Sequence, residues 1–157
     1  MTGGDGVRTL AEFELPSVLG NEKEAIARVA RAVRELDLPT PQLERLKTAV
    51  GEATMNAIEH GNHQQAEVPV AIRVSATTHE LIVAVTDHGG DPMIREPEKP
   101  DLEKKLEGVQ SPRGWGLFLV KNMVDDLRVT GDEHHHTVEL ILHRIILGRG
   151  PERDGNG

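Results

Sequence analysis

Residues 68–87 of this 157-residue chain, VPVAIRVSATTHELIVAVTD, constrain its fold more than any other stretch. Two runs rich in Val and Ile, VPVAIRVSA and ELIVAVTD, flank a short polar turn around Thr77 to His79. β-Branched side chains suit a pleated, half-buried surface, and runs joined by so short a link close as an antiparallel hairpin. An isolated hairpin is marginal in water, so the rest of the chain must extend this sheet and cover one of its faces.

The flanking segments supply both. RTLAEFELPS alternates apolar and polar from Leu10 to Leu15, the pattern of a half-buried strand, and stops at Pro16. Asn21 is placed to cap a helix whose Ala25, Ile26, Val29, Val33 and Leu36 share one face, ending before Pro39. Pro41 or its neighbour opens a second helix with Leu43, Leu46, Val50, Ala53 and Ala57 as its buried stripe and Gly61 as its stop. Beyond these, GWGLFLVKNMVDDL reads as a helix begun by Gly114 and Gly116, and LRVTGD with TVELILHRI as a last hairpin. The expectation is an α+β fold: a two-layer α/β sandwich, its mostly antiparallel mixed sheet covered on one face by helices.

The length is that of one domain, expected over residues 9–148, with frayed Gly-rich polar tails at 1–8 and 149–157. Residues 91–113 hold four prolines, many charges and one short helical stretch, DLEKKLEG. A connection of that length in a compact domain is more often a lid or binding loop than filler. The chain has no cysteine, no apolar run near the roughly 18 residues of a membrane span, and no basic-then-apolar leader in MTGGDGVRTL. It is therefore expected to be soluble and cytoplasmic, with no membrane partner. Its formal charge of -8 and lack of clustered Lys and Arg argue against direct nucleic-acid binding.

Three segments carry chemistry. In LKTAVGEATMNAIEHGN, α-helical geometry sets Glu52, Asn56 and His60 in a polar stripe bordering the apolar one. A carboxylate there can accept a hydroxyl proton, and an amide oxygen one turn on can ligate a hard cation. A solvated helix face would show the same period. In DHGGDP, Asp87 ends a buried strand and can accept from a base's exocyclic amine while Gly89 and Gly90 let the chain pass a flat ligand; an Asx turn is the plainer alternative. In RGWGLFLV, Gly114 and Gly116 let backbone N–H groups approach phosphate at a helix start, although glycines also simply end loops. Neither GxxxxGK[ST] nor GxGxxG occurs, which disfavours a P-loop or Rossmann site.

Together and in this order, ExxxNAxxHG, DxGxD and RGxGLxLVxxxxDD resemble the nucleotide-binding boxes of the ATPase superfamily of gyrase, the ninety-kilodalton heat-shock chaperone, histidine kinases and MutL. More narrowly, VGEATMNAIEHGN with RGWGLFLVKNMVDDL resembles the anti-sigma-factor serine/threonine kinases of bacterial partner switching, over roughly residues 9 to 146. The resemblance implies ATP and Mg²⁺ under a mobile lid at about 91–113. It assigns Glu52 as general base, Asn56 as Mg²⁺ ligand, Asp87 as acceptor of the adenine amine, and Gly89 as room for the ring. The phosphates would meet Gly114, Gly116 and Leu117 around Trp115, with Arg113 adding charge, His60 close by, and Thr137 on the adenine side.

It further implies a STAS-type antagonist as serine acceptor, a sigma factor as sequestered partner, and a homodimer. A nucleotide-gated binding protein without kinase activity, or a stand-alone histidine-kinase-type module, are the alternatives; no helical hairpin with an acceptor histidine precedes the domain, which disfavours the second. Two departures stand out. Gly51 occupies a position where relatives often have Ser, and His135-His136 precede Thr137 where relatives have glycine. His134 to His136 are expected in a polar turn rather than around a metal, because consecutive strand residues point to alternate faces. His63, His79, His88 and His143 are expected at the surface or in turns.

Overall fold

A computed structural model describes residues 6–89 and 119–144. The expected lid at 91–113, the phosphate-side residues Arg113, Gly114, Trp115, Gly116 and Leu117, and the expected tail at 149–157 lie outside the described residues.

The chain runs β1 (Arg8–Leu15), α1 (Asn21–Ala32), a 3-10 turn (Arg34–Leu36), α2 (Thr40–Asn56), a π-helical turn (Ala57–Gly61), β2 (Val70–Ala76) and β3 (Glu80–Asp87). Helical residues 119–123 then lead to β4 (Asp126–Gly131) and β5 (His136–His143). Arg8, read as tail, is the first residue of β1. The strands form one sheet in the order β1-β2-β3-β5-β4. All four pairings are antiparallel, so the sheet expected to be mixed is wholly antiparallel among the described residues.

Strand register sorts the side chains into two faces. Leu81, Val83, Val85 and Asp87 are the buried residues of β3. They pair with Leu142, Leu140, Val138 and His136 of β5, and the first three with Ala76, Val74 and Ile72 of β2. Directly paired residues share a face, so this apolar layer lies beneath the helices, which contribute Ala25, Val29, Val33, Leu46, Ala49, Val50 and Ala53. The opposite face carries polar pairs, with Glu12 and Arg73 in an ion pair at 2.7 Å and the Thr86 and Thr137 hydroxyls 2.8 Å apart, beside the apolar pair Ile82 and Ile141, of which Ile141 is fully buried.

The helices meet closely where α2 carries glycine. A Cβ at Gly51 would stand 2.9 Å from Ile26 Cδ1, so the absent side chain is what lets α1 settle against α2. The start of α1 differs from expectation. Gly20, at φ 107°, stands at the cap, and Glu22 Oε1 accepts its N–H at 2.8 Å. Asn21 instead donates through Nδ2 to Pro16 O at 2.8 Å, tying the helix back to the end of β1. At the start of α2 the buried Gln42 donates to His143 O at 2.8 Å, fixing the helix against the end of β5.

Candidate nucleotide site

The site is built from the end of α2 upward. Glu52 and Asn56 are half-buried at the border of the core, as the polar stripe requires. Ala57–Gly61 then widen into a single π turn, closed by Asn62 N–H donating to Ala57 O at 2.8 Å. The period of four therefore holds from Glu52 to Asn56 and fails at His60, which is exposed. One extra residue in a turn rotates the succeeding residues by roughly 100° about the helix axis. π turns are enriched at functional sites because they re-aim a few side chains without ending the helix.

Gly61, read as a helix stop, serves another purpose. Among the described glycines only Gly20 has a positive φ, so Gly61 is not needed for a left-handed cap. A Cβ on it would overlap the Asp87 carboxyl group. On the other side, a Cβ at Gly89 would stand 2.9 Å from both Asp87 Oδ1 and Gly61 O. The carboxylate is thus wedged between two glycines, and the backbone passes as close to it as the covalent chain permits.

Asp87 is buried at 4% exposure and hydrogen-bonded on both oxygens. Oδ1 accepts the Gly89 N–H at 2.8 Å, and Oδ2 lies 3.2 Å from His136 Nδ1. The arrangement is more than an Asx turn, because a histidine from a neighbouring strand and a glycine from the helix end both converge on the carboxyl group. Next to it, the buried Asn62 joins four segments. Its Nδ2 donates to Ser17 Oγ at 2.9 Å and to Val68 O and Pro69 O at 3.1 Å each, while its Oδ1 accepts the His88 N–H at 2.7 Å. The end of the π turn, the β1–α1 connection, the approach to β2 and the exit from β3 share one side chain.

Thr137, expected on the adenine side, is not beside Asp87. It pairs with Thr86 across the sheet, one residue out of step, and successive strand residues face opposite ways. His136 pairs with Asp87 and takes that place. The three histidines separate accordingly. His134 and His135 lie in the β4–β5 turn, where their N–H groups donate to Asp132 Oδ1 at 2.8 and 2.9 Å, and these bonds hold the Asp132 carboxyl below its ordinary range. The His135 ring lies 4.9 Å from that of His88, whereas His136 turns to Asp87. Among the described residues no three His, Asp or Glu side chains are grouped as a metal site.

Of the residues singled out in the sequence, the structure places Glu52 and Asn56 half-buried on α2 and Asp87 with Gly89 at the end of β3. Gly61 as a wedge, Asn62 and His136 were not legible in the sequence. The HGN run after the helix signalled the first two only as turn residues, and strand register alone reveals His136.

A helix bordering its core with a carboxylate and an amide thus meets a buried strand-end aspartate beneath an antiparallel sheet, in keeping with the resemblance noted from the sequence. Residues 15–142 match the family described as the histidine kinase-like ATPase domain, and the chain belongs to that family. Within it, the chain is similar to proteins named anti-sigma F factor. That of Bacillus subtilis is 31% identical over 133 residues, covering 83% of this chain and 90% of that protein. That of Clostridium kluyveri is 32% identical over 142 residues, covering 86% and 93%.

Two solved structures share the fold. The SiaB–SiaC complex of Pseudomonas aeruginosa matches with a TM-score of 0.63 at 14% identity, covering 86% of this chain and 90% of that one. The RsbU and RsbW domains of a Mycobacterium tuberculosis protein match with a TM-score of 0.59 at 15% identity, covering 84% of this chain and 32% of that one. Among the described residues no helix is long and apolar enough to cross a membrane.

Proposed function

We propose that this chain is a cytoplasmic anti-sigma-factor kinase that binds ATP, phosphorylates a serine or threonine of a STAS-type antagonist, and sequesters a sigma factor when that antagonist is withdrawn. The observation that carries the reading is the buried Asp87 carboxylate held between Gly61 and Gly89. Such a carboxylate presents acceptor lone pairs in a fixed place, which suits the exocyclic amine of adenine. The names of the anti-sigma F factor relatives support the regulatory half.

The roles divide along α2. Asp87 reads the base, with Gly89 giving it space. Asn56, half-buried upstream of the π turn, offers its amide oxygen to Mg²⁺, which when bound neutralises phosphate charge. Glu52 lies one helical turn further back and accepts the proton of the acceptor hydroxyl as its oxygen takes the terminal phosphoryl group. Arg113, Gly114, Trp115, Gly116 and Leu117 are proposed for the phosphate side and His60 for its rim; Thr137 is left out because it faces the other way. Phosphoryl transfer needs positioning and charge stabilisation more than covalent help, which fits a site of few groups. A homodimer is proposed through β1, an edge strand eight residues long whose outer side pairs with no strand among the described residues.

The test is the intact mass of a STAS-domain partner after incubation with Mg-ATP. A gain of one phosphate that Glu52→Gln abolishes, while ADP affinity survives, is the expected result. An unmodified partner that still binds would overturn the kinase assignment in favour of nucleotide-gated sequestration.

A further inference from the structure

We infer that His136 is a specificity-determining residue of the nucleotide site: its Nδ1–H holds Asp87 as an acceptor and so selects a 6-amino over a 6-oxo purine. The inference rests on the reading of Asp87 as the base-contacting group.

Register and chemistry carry it. His136 and Asp87 are direct cross-strand partners on the helix-covered face, and both sit at the end of the sheet. Their side chains meet at 3.2 Å, with the Asp87 side chain 5% and the His136 side chain 25% exposed. Oδ1 already accepts the Gly89 N–H at 2.8 Å. When the imidazole nitrogen facing Oδ2 carries its hydrogen, both carboxylate oxygens are engaged as acceptors. The carboxylate is then held in place from both sides, and what it shows an incoming base is its remaining lone pairs.

Adenine brings a donor to that position. Hypoxanthine and guanine bring a carbonyl oxygen, and two acceptors face each other. The wedge sharpens the choice, because a carboxyl group packed between Gly61 and Gly89 cannot swing aside to relieve the mismatch. Without His136, Oδ2 loses the contact that fixes the carboxylate in place, and the preference for a donor at that position weakens. The same chain element thus supplies selectivity from outside the ring's own contact. His136 acts through Asp87 and is a positioning residue for base choice.

The experiment compares Mg-ADP with Mg-IDP, which differ at C6, by titration calorimetry on the full chain and three variants. His136→Leu removes the donor with little change in bulk. His136→Asn restores an N–H at the same branch point, since Nδ2 of Asn and Nδ1 of His are both bonded to Cγ. Circular dichroism and melting establish that each variant is folded.

The ADP preference is expected to fall about tenfold in His136→Leu, the worth of one hydrogen bond to a charged group, and to recover in His136→Asn. Loss in Leu without recovery in Asn would assign the effect to ring volume and overturn the inference. So would a preference unchanged in His136→Leu. Asp87→Asn separates the two levels. If it leaves the ADP:IDP ratio intact, the base-reading role of Asp87 itself is wrong; if it collapses the ratio while His136→Leu does not, only the role of His136 fails.

Discussion

Replacing Gly61 by Ala distinguishes a helix stop from a wedge, because the two readings predict opposite signs. Gly61 does not have a left-handed backbone, so alanine can adopt its conformation. In open space such a change stabilises by about 0.4–1 kcal/mol, by narrowing the unfolded ensemble. Space is what the site lacks. The new methyl would stand 2.6 Å from Asp87 Cβ and closer still to the carboxyl group, against about 3.5–4 Å for carbon atoms at rest. Overpacking of this kind costs about 1–3 kcal/mol. The obstacle is a short side chain anchored on a central strand and hydrogen-bonded at both oxygens, so it cannot yield cheaply.

The net expectation is a loss of about 1–2 kcal/mol, or a melting temperature lower by about 2–8 °C at this chain length. Mg-ADP affinity should fall with it, by roughly tenfold or more if one hydrogen bond to the carboxylate is lost. Urea unfolding and titration calorimetry on the same preparations read both. A Gly61→Ala protein as stable as its parent, with ADP affinity intact, would refute the wedge and with it the placement of the base on Asp87.

Gly51→Ala is the counterpart with a different neighbour. Its methyl would meet the terminal carbon of Ile26, which can rotate away, while the helix interior gains about 1 kcal/mol in propensity, so chemical denaturation should show little change or a small gain. Asn62→Ala removes one buried side chain from four hydrogen bonds and takes the partner from the His88 N–H and the Pro69 carbonyl, while Val68 O keeps the Ser17 hydroxyl; a loss of about 3 kcal/mol is expected in urea unfolding, larger than for any exposed Asn. Asp132→Asn tests the β4–β5 turn. Because the folded carboxyl titrates below its ordinary 3.8, its stabilising contribution is present above that pH and is lost as pH falls through the folded value. Melting curves of parent and variant should therefore converge on acidification, and a gap independent of pH would contradict the two backbone hydrogen bonds.

The elements were legible because each carries its own period. The β2–β3 hairpin, the stripe on α2 and the alternation of β1 need no tertiary partner to be read, and the helix-covered sheet follows from the apolar faces they must bury. Asn21 was misread because a good capping residue stood beside a glycine free to take φ 107°, and only the packed chain shows that Asn21 is needed at Pro16. That Thr137 falls on the other face of the sheet from Asp87 has a different cause. A strand's side chains alternate, so an offset of a single residue between β3 and β5 moves a whole set of groups to the other face. Sequence patterns give the alternation but not its phase relative to a neighbour.

The π turn has the same logic on a helix. Continued as a regular α-helix, the segment after Asn56 would present a face rotated by roughly 100°, and the residue without a side chain would not be the one against Asp87. The widened turn, the glycine and the aspartate therefore define one another: the turn aims Gly61, Gly61 admits the carboxyl group, and Asn62 locks the exit of β3 to the turn through the His88 N–H. A carboxylate already fixed in this way need not be ordered when a ligand arrives, so little of the binding energy is spent on arranging it. Preorganisation of that kind would let a domain with so few charged groups in its described site discriminate among purines, and it is why selectivity is expected to depend on residues that no ligand touches.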